Sequence, residues 1–72
     1  MQTIVFNTTL RTVKLYAGEA QTSTILEHFD NVPTVKPKEE GFYEVFQKNN
    51  ELDPQVPVAR FPIANTNMLI VK

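Results

Sequence analysis

Residues 41–72 have the sequence GFYEVFQKNNELDPQVPVARFPIANTNMLIVK, and this stretch decides the fold that we predict. It predicts three β-strands at 42–48, 56–63 and 67–72, because runs of apolar and β-branched residues alternate with turn-forming segments. The two turn-rich segments lie at 49–55 and 64–66. We expect this C-terminal block to form a three-strand meander against which the rest of the chain packs.

The first of these strands is apolar on both faces. Phe42 and Phe46 share one face with Glu44, whereas Tyr43 and Val45 share the other. A strand of this kind is covered on two sides or contributes to an interface.

The second predicted strand, 56–63, contains two prolines. Pro57 and Pro62 cannot donate ladder hydrogen bonds, so this strand is expected at a sheet edge or bent at those positions. Such an edge is either offered to a partner strand or protected from one.

The N-terminal part predicts a hairpin over residues 3–17, with strands at 3–7 and 10–17. A short helix is predicted near residues 23–31, because Thr24 and Glu27 fit a capping box. A bent strand in this segment is the alternative. Residues 32–40 read as an extended, charged connector that links the helix to the meander.

The composition of the 72 residues favours a mainly β fold, since eight valines, four isoleucines and eight threonines are present. We predict one small domain over residues 1–72, either a small barrel or an antiparallel sheet of about five strands, with the one short helix; an α+β class is the alternative. The chain contains no cysteine, which excludes disulfides and thiolate metal sites.

The formal net charge of −1 gives no long-range field that would attract nucleic acid or an anionic membrane. No segment approaches the roughly 18 apolar residues of a membrane helix. The first residues lack the pattern of a signal peptide, so a cytoplasmic protein is expected.

Residue types that carry catalysis are scarce in this sequence. A nucleophile and base could come only from Ser23 and His28, and nothing in the pattern supplies an orienting carboxylate or an oxyanion hole. On the predicted helix, Glu27, His28 and Asp30 do not project towards one metal ion. We therefore expect no enzyme, no metal and no cofactor.

A mixture of aromatic and basic residues gives a weak indication of single-stranded nucleic acid binding. Tyr43 and its two neighbouring phenylalanines lie near Lys48 and Arg60, a combination that can stack bases and bind phosphates. Glu39, Glu40 and Glu44 lie among them and would repel phosphates. Nucleic acid is therefore not an expected partner.

What remains is an interaction function. We predict a non-enzymatic protein-binding module, such as a small regulator, inhibitor or adaptor, whose surface includes Tyr43, Arg60 and Phe61, since aromatic residues and arginine dominate interface energies. The first alternative is a subunit of a symmetric homo-oligomer. The second is a binder of a small anion at a site between subunits, formed by Lys48 and Arg60.

Overall fold

The computed structural model describes residues 1–48 and 55–72. The described chain contains seven strands and one short 3₁₀ turn, Ile63–Asn65. The strands are β1 Gln2–Asn7, β2 Thr12–Tyr16, β3 Ile25–Phe29, β4 Thr34–Pro37, β5 Phe42–Phe46, β6 Ala59–Pro62 and β7 Thr66–Val71.

The strands form two sheets, with the orders β3-β2-β1-β7 and β4-β5-β6. β7 runs parallel to β1, and every other pairing is antiparallel. The mainly β fold is thus confirmed, although the described residues contain seven strands rather than five and form no closed barrel.

The core draws side chains from both sheets. Ile4 and Val13 from the first sheet and Val45 from the second are fully buried. The other members of the cluster are Phe6, Leu15, Val32 and Phe61. Burying a side chain of this size stabilises a fold by about 1.5–3 kcal/mol, so this cluster is the main stabilising feature of such a small domain.

The short helix predicted near residues 23–31 is wrong, because the segment forms strand β3 and pairs with β2. Neither predicted capping residue caps a helix, since Thr24 directly precedes β3 and Glu27 lies within it. The neighbouring Ser23 stabilises the loop before the strand. Ser23 Oγ accepts from the Gly18 N–H at 2.9 Å and donates to the Glu19 carbonyl at 2.6 Å. The carbonyl of Thr24 accepts from the Ala17 N–H at 2.8 Å, which starts the β2–β3 ladder. Pairing with β2 therefore outweighs the local helix signal.

The strand conformation also changes which polar groups meet near residue 28. Residues two apart share a face in a strand, and His28 Nε2 lies 3.2 Å from Asp30 Oδ1. Both side chains are well exposed, so this contact is a surface ion pair when His28 is protonated.

The predicted three-strand meander over residues 42–72 is also wrong in its last strand. β5 and β6 pair as expected, and β6 lies at an edge of the second sheet, as its prolines predicted. After Pro62, however, the 3₁₀ turn Ile63–Asn65 redirects the chain, and β7 joins the first sheet beside β1. This pairing places Met68 next to Ile4 and against the core.

The N-terminal hairpin is confirmed, but its second strand starts at Thr12 rather than at residue 10, so the turn comprises residues 8–11. Asn7 Oδ1 accepts hydrogen bonds from the N–H groups of Thr9 and Leu10, at 3.0 and 2.9 Å. Arg11 then adopts a left-handed conformation, with φ of 55°. The Asn7 side chain therefore stabilises the turn, while Arg11 adopts the positive φ that glycine often provides in such hairpins.

Part of the predicted connector at 32–40 is strand β4, which pairs with β5. Gly41, at φ 92°, then makes the turn into β5 in a conformation that favours glycine. The turn predicted at 49–55 lies outside the described residues apart from Gln55.

Candidate functional site

The three residues predicted as a protein-binding surface lie on opposite faces of the second sheet. Tyr43 and Phe61 are cross-strand partners in the β5–β6 ladder, and both belong to the core or pack against it. Arg60 directs its side chain to the opposite face because successive residues of a strand alternate. The structure brings Tyr43 and Phe61 together and separates both from Arg60.

On this opposite face, the carboxylate of Glu44 lies between two cations. Arg60 Nε is 2.8 Å from Glu44 Oε2, and Lys38 Nζ is 3.7 Å from Oε1. The Glu44 side chain is only 11 % exposed, whereas both cations reach solvent. Pairs with one solvated partner contribute at most about 1 kcal/mol each, so their main effect is to satisfy a nearly buried carboxylate. Arg60 therefore has a structural partner within its own chain.

The aromatic residues Phe42 and Phe46 share this face with Glu44, as the alternation predicted. Lys36 Nζ lies 5.4 Å from the centre of the Phe46 ring, at the distance of a cation–π contact. This face is therefore a mixed surface, on which Phe46 contacts Lys36 and Glu44 pairs with Lys38 and Arg60.

The two cations predicted for one anion site line different hollows. Arg60 borders a hollow of about 400 Å³, which is also lined by Lys38, Glu40, Phe42 and Glu44. Lys48 borders a hollow of about 110 Å³, which is also lined by Arg11, Asn31 and Pro33. The two carboxylates of the larger hollow offset its two cations, so it offers no net positive charge to an anion. Lys48 and Arg60 thus line separate hollows within one chain, and the site between subunits stays a prediction.

The outer edge of β7 pairs with no other strand of the described residues. β7 lies at the end of the first sheet, and β1 is its only neighbour among the strands of residues 1–48 and 55–72. The Val71 carbonyl accepts from the Thr8 N–H on the β1 side, at 2.9 Å. Because backbone groups alternate along a strand, Leu69 also turns its N–H and C=O towards β1, whereas Met68 and Ile70 turn theirs outwards. Within residues 1–48 and 55–72, no hydrogen bond outside the β1 ladder reaches Met68 or Ile70.

The side chains beside these outward groups are apolar and exposed. Ile70 is 66 % exposed, Leu69 45 % and Val71 39 %. Leu69 and Val71 lie opposite Val5 and Asn7 on the outer face of the sheet, whereas Ile70 lies on the core side with Phe6. We call residues 68–71 of this strand the β7 edge. The β7 edge carries apolar side chains on both faces of the sheet, beside the outward backbone groups of Met68 and Ile70.

The other three sheet edges carry features that discourage pairing with another strand. β3 carries Glu27 and His28 and contains a β-bulge at Leu26, where its register against Leu15 and Tyr16 shifts. β4 contains a lysine and a proline, and β6 contains an arginine and a proline. Charges, bulges and prolines are the usual means by which edge strands avoid aggregation. Strand β7, with the sequence TNMLIV, has none of them.

Sequence reasoning identified 67–72 as a short apolar strand but not as a site. The available signal was four consecutive large apolar residues, 68–71, with neither a charge nor a proline among them. Such a run fits a strand buried on both faces equally well. Only the sheet order shows that this strand is an exposed edge.

Within the described residues, no group of three or more His, Asp or Glu side chains could hold a metal ion. None of the helical structure in the same residues is long and apolar enough to cross a membrane. Comparison of the chain with protein-family models, curated proteins and solved structures gave no match.

Proposed function

We propose that this protein is a non-enzymatic protein-binding module that adds an extended strand of its partner to the β7 edge. The observation that carries the proposal is the row of outward N–H and C=O groups at Met68 and Ile70, bordered by exposed Leu69 and Val71. Strand addition takes its affinity from such main-chain hydrogen bonds and its specificity from alternate side chains.

The β7 edge also defines the chemistry of its partner. A strand paired with it would place alternate side chains against Leu69 and Val71 on the outer face, and against Met68 and Ile70 on the core side. Both faces at the edge are uncharged. The preferred partner is therefore an extended segment that is apolar on both faces and carries no charge at its centre.

We place this activity in the cytoplasm. The chain contains no cysteine, so its fold does not depend on an oxidising compartment. A domain of this size has a thin core and gains stability from any partner that binds only the folded state. A small regulator or adaptor fits this description.

Ile70→Lys tests the proposal, with Ile25→Lys as its matched control. Both isoleucines are exposed and lie in edge strands of the same sheet, but Ile25 belongs to β3. A charge at the β7 edge would have to be desolvated when a strand pairs there. We expect Ile70→Lys to weaken partner binding at least about tenfold, equivalent to about 1.4 kcal/mol, and Ile25→Lys to leave it unchanged.

The measurement is affinity capture from the native host with the wild-type chain and both variants, read by quantitative mass spectrometry. Cross-links from bound proteins should map to β7. Equal capture by Ile70→Lys and the wild type, or equal losses in both variants, would contradict strand addition at the β7 edge. A normal melting temperature for each variant verifies that the chains are folded.

A further inference from the structure

We infer that the β7 edge pairs with a second copy of itself, antiparallel and about a two-fold axis. This inference rests on the proposed function and names the partner strand. The four-stranded sheets of the two copies would then join into one sheet with the order β3-β2-β1-β7-β7′-β1′-β2′-β3′, where primes mark the second copy. Pairing of this kind is isologous and closes at two subunits, unlike a head-to-tail contact that continues into a filament.

The backbone fixes the register of this pairing. Residues that exchange both hydrogen bonds across an antiparallel ladder must each turn their N–H and C=O towards the partner. On β7 these residues are Met68 and Ile70. A two-fold axis through Leu69 places Met68 opposite Ile70 of the second copy, and Ile70 opposite its Met68. Every outward backbone group of the β7 edge then has a partner.

The same register matches the side chains. Leu69 meets its own copy on the outer face, at a non-hydrogen-bonded position where the side chains approach most closely. On the core side, Ile70 meets Met68 of the second copy, and Met68 already packs against the core. The exposed Ile70 would thereby extend each core across the axis. Apolar residues face apolar residues at all three central positions.

Charge favours the antiparallel arrangement over the parallel one. Lys72 is the first charged residue after β7. With the axis at Leu69 it lies opposite Thr66 of the second copy, and the two lysines are separated by roughly 20 Å along the strands. A parallel pairing would place the two lysines side by side, where like charges repel.

Disulfide cross-linking of single-cysteine variants tests the register, because the wild-type chain contains no cysteine of its own. Leu69→Cys should form a disulfide-linked dimer under mild oxidation, since Cα atoms of a non-hydrogen-bonded pair lie about 4.5 Å apart, within disulfide range. Ile25→Cys is the control, because its side chain is about equally exposed on the opposite edge. We expect at least about ten times more dimer from Leu69→Cys.

A second pair of variants keeps the test independent of Leu69. Asn67 and Val71 are exposed and pair with each other in the proposed register. Asn67→Cys and Val71→Cys chains should cross-link when mixed, whereas each alone should not, since its own copies lie roughly 13 Å apart along the strands.

Each outcome has one meaning. Efficient Leu69→Cys cross-linking and a preference for mixed Asn67→Cys/Val71→Cys dimers support the inference. Cross-linking of Leu69→Cys no greater than that of Ile25→Cys, or no preference for the mixed dimer, overturns it. If the chain is also monomeric but Ile70→Lys still abolishes capture of another protein, the self-pairing is wrong and the proposed function stands.

Discussion

Proline at Leu69 is expected to destabilise this protein by about 3 kcal/mol, whereas proline at the next residue, Ile70, is expected to cost less than about 1 kcal/mol. The N–H of Leu69 points to β1 and that of Ile70 points outwards. Leu69→Pro therefore removes a ladder hydrogen bond and leaves an acceptor on β1 unpaired, at a cost of about 1–3 kcal/mol for the acceptor alone. Ile70→Pro removes only an N–H that faces solvent in the monomer.

Chemical denaturation of both variants measures this difference. A stability of roughly 4–11 kcal/mol is expected for a chain of this length, so Leu69→Pro would lose a large part of it. Ile70→Pro should remain folded but lose strand addition, because it lacks a donor that an added strand needs. If the two prolines destabilise the chain equally, or Ile70→Pro costs more, then Leu69 does not direct its N–H to β1 and Ile70 does not direct its N–H outwards.

Phe61→Ala is expected to destabilise the protein by about 3–5 kcal/mol. Phe61 is buried in the core beside Tyr43, and the substitution would leave a cavity that the surrounding side chains cannot fill. The neighbouring Arg60→Ala should cost less, about 1–3 kcal/mol, because the Arg60 side chain is largely exposed but its loss leaves the nearly buried Glu44 with Lys38 alone, at 3.7 Å.

Thermal or chemical unfolding of these two neighbours distinguishes a core role from a binding role. If Phe61 is a core residue, Phe61→Ala loses more stability than Arg60→Ala. A Phe61→Ala chain that unfolds like the wild type but no longer binds its partner would return Phe61 to the interaction surface that the sequence predicted.

The strands that the sequence predicts well are those with clear alternation. Ile4 and Phe6 on one face, and Val13 and Leu15 opposite them, predict the N-terminal hairpin that forms. The helix predicted at 23–31 does not form, because the capping-box spacing of Thr24 and Glu27 is only a local signal. Ser23 forms hydrogen bonds with Gly18 and Glu19 in the loop, and the residues after it form strand β3 because they pair with β2.

The last strand shows why topology is harder to predict than strands. Nothing in residues 66–71 distinguishes a partner in β6, its neighbour in sequence, from β1 at the other end of the chain. Consecutive strands pair often enough that a meander was the natural expectation. The turn after Pro62 instead leads β7 to β1, and this choice creates the open apolar edge.

The candidate site was only partly predictable for the same reason. The prolines of 56–63 predict an edge or a bend, and β6 does lie at an edge, with Pro62 in the strand and Pro57 before it. Arg60 and Phe61 were grouped as one surface although they are adjacent in a strand and therefore face opposite ways. No side-chain pattern indicates that the backbone groups of Met68 and Ile70 face outwards. Only the β1–β7 pairing in the structure shows it.

The most direct test of the β7 edge is amide hydrogen exchange of its four residues, measured in the dilute chain and in the complex. We expect Leu69 and Val71 to be protected in both states because their N–H groups face β1. Met68 and Ile70 should exchange rapidly in the dilute chain and become protected at least about tenfold when a strand is added. If Met68 and Ile70 are as protected as Leu69 and Val71 in the dilute chain, or gain no protection in the complex, strand addition at the β7 edge is wrong.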